Sequence, residues 1–175
     1  MMIDQQGFRQ LMAGVCAPVT VVTTIVDGVP YGSTVSSLAS LSLDPPLVSV
    51  AFDRASTLLA RIQQAGEFGV NVLSHAQDDL ARNFAVARAD KFSGTQWFTD
   101  DGLPRLPDTA GWMACELNHA VQGGDHLLLF GLVRAASSRR DLPPLVYAHK
   151  TYGTHSRFEQ RPRPAIADLI AACAR

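Results

Sequence analysis

A run of β-branched residues from Val19 to Val26 closes on Asp27-Gly28, after which a strand-like pattern resumes from Tyr31 to Ser37. Asp-Gly between two such runs signals a tight hairpin, because the central residues of a two-residue turn take positive φ. An antiparallel pair near the N-terminus is therefore the first constraint on the fold. The signature returns where Met113 to Val121 and Leu127 to Ala135 flank Gln122-Gly123-Gly124-Asp125. Leu47 to Phe52 and Phe68 to Leu73 predict two further strands, and Leu145 to Ala148 a last core strand. About six strands joined by short turns predict a mainly β fold with helices at its edges, as an antiparallel barrel or sandwich.

Three helices are expected between the strands. Asp4 caps the first, with Phe8, Leu11 and Met12 on one face and Pro18 marking its end. Ala55 to Gln64 places Leu58, Leu59 and Ile62 at helical spacing and stops at Gly66. Ser74 and Gln77 have capping-box spacing before a short helix carrying Leu80 and Phe84. Between Ala89 and Thr109 the composition turns polar with Gly94, Gly102, Pro104 and Pro107, which predicts a long loop. From Arg157 onward, Arg and Pro precede a small Ala/Ile/Leu helix expected to pack on the surface or on a partner subunit. Without repeats or linkers, residues 1–175 are read as one domain.

Composition narrows the function classes. With 47% hydrophobic and 18% charged residues, 175 residues suffice for one domain with a sizeable core. A net charge of −1 gives no electrostatic reason to expect nucleic acid. No apolar run reaches the roughly 18–20 residues of a membrane span, and Asp4 and Arg9 interrupt any signal core, so a cytoplasmic protein is expected. Cys16, Cys115 and Cys173 are too scattered for a disulfide framework or a zinc knuckle and read as small buried hydrophobes. The usual dinucleotide-binding, P-loop, nucleophile-elbow and zincin signatures are absent from the sequence.

The densest polar feature is Gly32-Ser33-Thr34-Val35-Ser36-Ser37-Leu38-Ala39-Ser40-Leu41-Ser42-Leu43-Asp44-Pro45-Pro46, with six hydroxyls in ten residues. It reads either as a polar edge strand ending in a proline turn or as a strand presenting hydroxyl and N–H donors to an anion.

That run, followed by Ser56-Thr57, Gly66-Glu67-Phe68-Gly69-Val70-Asn71-Val72-Leu73 and Gly124-Asp125-His126, resembles the small flavin reductases of two-component monooxygenases. The resemblance spans about residues 8–152. It implies a split β-barrel of the FMN-binding type, a homodimer, and hydride transfer from NADH or NADPH to FMN, with FAD or riboflavin as further acceptors. It also implies that the reduced flavin leaves to serve a separate flavin-dependent monooxygenase. In this family pattern Thr34, Val35 and Ser36 orient the flavin ring, and Ser37 is a candidate for the ribityl chain or phosphate. Ala51, Phe52 and Asp53 join the cofactor-binding set at the end of their strand. A helix start at Ser56 and Thr57 offers N–H groups to the phosphate. Lys91 supplies countercharge and Phe92 a wall, although Lys91 also reads as an ordinary loop lysine.

Gly124 allows close approach, and His126 would lie beside the nicotinamide and flavin rings as a positioning group. A hairpin histidine satisfied by Asp125 is the other reading. His119 could approach His126 across the hairpin, but the two alone make no metal site, and no metal is expected. Tyr147 and Tyr152 complete the cofactor-binding candidates as nearby aromatics. The functional alternatives are a flavin-binding electron carrier or sensor that holds FMN permanently, and an interaction module without chemistry.

Overall fold

The structure is a computed structural model and describes residues 3–87 and 90–155. The expected C-terminal helix and the packing of residues 157–175 lie outside the described residues, as does Cys173. In chain order the elements are α1 (Gln5–Ala13), β1 (Ala17–Pro18), β2 (Thr20–Val26), β3 (Val29–Val35), β4 (Ala39–Leu43), β5 (Pro46–Asp53), α2 (Thr57–Ala65) and β6 (Glu67–Val72). They continue with α3 (Asp78–Ala85), β7 (Phe98–Asp100), β8 (Leu103–Arg105), β9 (Gly111–Gly123), β10 (His126–Ser138), β11 (Leu145–Ala148) and β12 (Thr151–Thr154).

Seven strands form one antiparallel sheet in the order β3-β2-β6-β9-β10-β5-β4. The sheet curls on itself, because residues from both halves of that order share one core. Val22 and Val35 of β2 and β3 cluster with Val48, Val50 and Phe52 of β5, with Phe68, Val70, Cys115 and Leu129 between them. Leu58, Leu59 and Ile62, the buried face of α2, join this core. Alternation along β2 sends Val22 inward and Val21 outward, where with Val19 just before the strand it joins a second core of Leu73, Ala81, Phe84, Phe92, Leu106 and Leu145. Both faces of β2 are thus buried, which explains its uninterrupted Val/Thr/Ile composition. The result is an antiparallel split barrel.

Local signals explain the boundaries. Asp27 and Gly28 both take positive φ, 52° and 76°, as the β2–β3 turn requires. Ser56 caps α2 through its hydroxyl, and Gly66 ends it in the left-handed conformation at φ 73°.

Several expectations are corrected. α1 ends at Gly14, well before Pro18, and Phe8, Leu11 and Met12 remain exposed. Only one arm of the Ser74–Gln77 capping box forms, and Ser74 is not the N-cap of α3. The N-cap is Gln77, whose side chain accepts from Ser74 N–H at 2.9 Å and donates to the Pro107 carbonyl at 2.8 Å, fastening the segment before the helix to the loop opposite. The expected loop from 89 to 109 contains the β7–β8 hairpin, held because Leu103 and Leu106 are fully buried. The chain also continues beyond β11 into β12, which pairs with it in a separate three-stranded sheet. Cys115 is buried as expected, whereas Cys16 is exposed.

Candidate active site

The barrel has a seam where the end of β3 meets β5. Ser37, just past β3, donates its hydroxyl to the Ala51 carbonyl at 3.1 Å and accepts from Ala51 N–H at 2.8 Å. Along this seam β5 runs out through Ala51, Phe52 and Asp53 into the start of α2. On its other side β5 pairs with β10, placing His126 opposite Asp53 and Leu127 opposite Phe52. The topology thus brings the hydroxyl run, the α2 start and the Gly124-Asp125-His126 turn to one end of the barrel.

The α2 start is tightly held. Asp53 accepts from Ala55 N–H with its carboxylate at 2.7 Å and from Ser56 N–H with its carbonyl at 2.9 Å. Arg54 N–H donates to the Asp125 carbonyl at 3.2 Å, and the Arg54 guanidinium reaches Gln122 Oε1 at 3.1 Å. These bonds tie the two turns together. Arg54 belongs to the Asp53-Arg54-Ala55-Ser56-Thr57 helix start, and the register of β5 and β10 sets it beside Gln122.

Beside this junction lies a pocket of about 70 Å³ lined by residues that include Ser33, Ser56, Thr57, Lys91 and Phe92. Four of these five were expected at the site; Ser33 is the addition, and its place in the hydroxyl run was the available signal. Lys91 Nζ donates to the Phe84 carbonyl at 2.8 Å, at the last turn of α3, where a cation is favoured by the helix dipole. Thr34 donates to the Ala81 carbonyl of the same helix at 2.7 Å. Phe92 is buried edge-on against Phe84, with ring centroids 5.0 Å apart, and against Trp97 at 5.8 Å.

Within the hydroxyl run the roles divide. Val35 is buried in the barrel core, and the Thr34 and Ser37 hydroxyls are bonded to main chain, while Ser36 is exposed. What the run offers at the seam is chiefly its backbone.

His126 is half-buried at the start of β10, and its Nδ1 lies 2.7 Å from the Asp125 carboxylate. That hydrogen bond, followed by the imidazole's charge, holds the exposed Asp125 carboxyl below the usual carboxylate range. A carboxylate acceptor makes Nδ1 the donor and leaves Nε2 for another partner. Gly124, at φ 66°, makes the turn. His119 does not approach His126; it stands opposite Phe130, with the two rings 6.0 Å apart, farther along the hairpin.

Tyr147 and Tyr152 are paired at a ring separation of 5.0 Å but do not line the pocket with Lys91. They face a separate depression against α3, where Arg82 stacks over Tyr152 at 5.1 Å. Among the described residues, no cluster of three or more His, Cys, Asp or Glu is arranged to hold a metal ion. No helix among them is long and apolar enough to cross a membrane.

A small pocket with a lysine, three Ser or Thr residues and a helix start suits a phosphate. At the same barrel end the Ser37–Ala51 seam and His126 stand on the two edges of β5. Comparisons with known proteins identify the family. The chain is 36% identical over 170 residues to the reductase subunit HsaB of a flavin-dependent monooxygenase from Rhodococcus jostii (strain RHA1), covering 97% of this chain and 87% of that protein. It is 34% identical over 175 residues to a flavin reductase (NADH) from Kitasatospora aureofaciens, covering 97% and 91% of the two chains. The solved structure of nitrilotriacetate monooxygenase component B from Mycobacterium thermoresistibile superposes with a TM-score of 0.85 at 32% identity, covering 95% of this chain and 94% of that one. Residues 12–156 match the family described as flavin reductase like domain, and the chain belongs to that family.

Proposed function

We propose that the chain is an NAD(P)H:flavin oxidoreductase that reduces FMN, or FAD, and releases the reduced flavin to a separate monooxygenase component. The observation that carries this reading is the convergence of the Lys91–Ser56–Thr57 pocket, the β3 seam and His126 at one barrel end.

When bound, the flavin supplies the two-electron acceptor for the hydride of the nicotinamide. The chain's own residues bind and orient. Lys91 and the N–H groups at the start of α2 hold the phosphate, each charge-assisted bond contributing about 1.5–3 kcal/mol. Main chain from Thr34 to Ser37 and from Ala51 to Asp53 lines the ring, while Val35 and Phe52 anchor these segments in the core. His126, its ring fixed by Asp125, would align the nicotinamide with the flavin; hydride transfer needs alignment, and no side chain must move a proton for it. Tyr147 and Tyr152 stand apart from the pocket and carry no role in this proposal. A homodimer is part of the proposal, because the exposed Phe8, Leu11 and Met12 of α1 form an apolar face that a second copy would cover.

The test is oxidation of NADH and of NADPH by purified protein with and without added FMN. A rate that scales with free flavin is expected. No rate above the enzyme-free control with either nucleotide would overturn the reading, and one tightly held flavin without turnover would favour an electron carrier.

A further inference from the structure

The barrel seam is closed by a side chain at a level where a strand is missing. β4 pairs with β5 only as far as Ala39 opposite Ser49, so beyond Ser49 that edge of β5 has no strand beside it. By the two-residue alternation of a ladder, Ala51 is the next residue whose N–H and C=O face that edge. Both groups are taken by one hydroxyl, since Ser37 Oγ accepts from Ala51 N–H at 2.8 Å and donates to Ala51 C=O at 3.1 Å. Ser37 stands in for the absent strand residue.

A serine hydroxyl has one proton. Directed to the Ala51 carbonyl, it is not available to a ribityl chain or a phosphate while the clip is closed. Ala51 meanwhile stands opposite Leu128 of β10, two residues from His126, in a pair that exchanges no main-chain bonds of its own. The clip therefore reaches both walls of the candidate site.

Resting on the flavin reductase reading, we infer that Ser37 is a positioning residue: its hydroxyl sets the width of the seam by clamping Ala51 to the end of β3, so the ring-binding backbone is in place before flavin arrives. Without the hydroxyl, two main-chain groups of Ala51 turn to water and β5 is released from β3. The slot must then be rebuilt at each binding event, which weakens flavin binding more than NAD(P)H binding.

The test compares Ser37→Ala, Ser37→Thr and wild type by three readouts. These are FMN dissociation constant, the KM values for FMN and NADH, and hydrogen exchange of the Ala51 amide in flavin-free protein. Expected for Ser37→Ala are an FMN constant raised about tenfold, an NADH KM changed much less, and faster exchange at Ala51, with Ser37→Thr restoring all three. An FMN constant within twofold of wild type overturns the inference. So does weakened FMN binding with unchanged Ala51 exchange, because the hydroxyl would then be touching the ligand directly. If Ser37→Ala does not fold, Ser37→Cys, a weaker donor and acceptor, carries the same comparison. Absence of flavin-dependent turnover in wild type would fail the functional reading alone, since the exchange arm reads the clip without flavin or nucleotide.

Discussion

Gly32 is the position where stability and the candidate pocket are most directly linked. It lies in β3 opposite Thr23, and a Cβ added there would fall 2.8 Å from Phe84 Cε1, 3.0 Å from Phe84 Cδ1 and 3.3 Å from Phe92 Cε2. Comfortable carbon contacts begin near 3.5 Å, so in Gly32→Ala the Phe84 ring must retreat by roughly 0.7 Å. It has nowhere to go. Phe84 is fully buried and packed edge-on against Phe92, which is packed in turn against Trp97. Overpacking of this kind costs about 1–3 kcal/mol, offset by about 0.4–1 kcal/mol from the stiffer unfolded chain. At this chain length each kcal/mol lowers Tm by about 2–4 °C. Because Phe92 lines the pocket, displacement of its ring should also raise the FMN dissociation constant. The assay is thermal unfolding by circular dichroism alongside an FMN titration, with Gly153→Ala as control. At Gly153 the nearest atom to an added Cβ is 3.9 Å away, and that variant should match wild type or gain slightly. Equal Tm and equal FMN affinity for the two alanine variants would mean that Phe84 yields freely and that the Gly32 contact limits neither stability nor the pocket.

Lys91→Met keeps the aliphatic stem but removes the charge, so FMN should bind about tenfold or more weakly while riboflavin, which lacks the phosphate, is unaffected; parallel losses for both would count against a phosphate role. His126→Ala should lower the hydride-transfer rate in stopped flow with flavin affinity nearly intact, and equal loss of both would contradict a role in aligning the rings. Asp125 ionises more readily folded than unfolded, so its stabilisation is present above the unfolded carboxyl range and lost as pH falls through its depressed folded value. Asp125→Asn should thus be less stable than wild type at neutral pH, with the difference closing in acid, as measured by urea unfolding across pH. Burial pushes the Cys115 thiol up to about 12, so mass spectrometry after iodoacetamide treatment at pH 8 should find Cys16 labelled and Cys115 unlabelled.

The parts of the fold legible in sequence are those governed by local chemistry. Asp27-Gly28 could make little other than a tight turn, and Ser56 and Gly66 bracket α2 because one hydroxyl caps its start and one glycine takes a left-handed end. Lys91-Phe92 and the α2 start were legible through the family pattern, and they meet in one pocket. The rest depends on how the sheet curls. That the hydroxyls of Thr34 and Ser37 bond to Ala81 and Ala51 follows from three-dimensional neighbours far along the chain, which spacing does not encode. Periodicity likewise put Phe8, Leu11 and Met12 on one face of α1 but could not say what that face meets. The buried leucines of the 89–109 segment were masked by its prolines and glycines, whose turn preferences dominate any short-window reading.

The pairing of β5 with β10 also bears on how the protein reaches its native state. The hairpins β2–β3 and β9–β10 close short loops and can form locally, whereas β5 meets β10 only after all of the chain from α2 through β9 has been placed between them. Asp53 and His126 become neighbours in that non-local step, whereas Ser37 and Ala51, 14 residues apart, meet within the shorter β3–β5 stretch. A chain arrested with both hairpins formed would have most of its strand signal in circular dichroism and no site. Flavin binding therefore counts only molecules that have completed their longest-range pairing, and added flavin should draw partly folded chains toward closure by mass action.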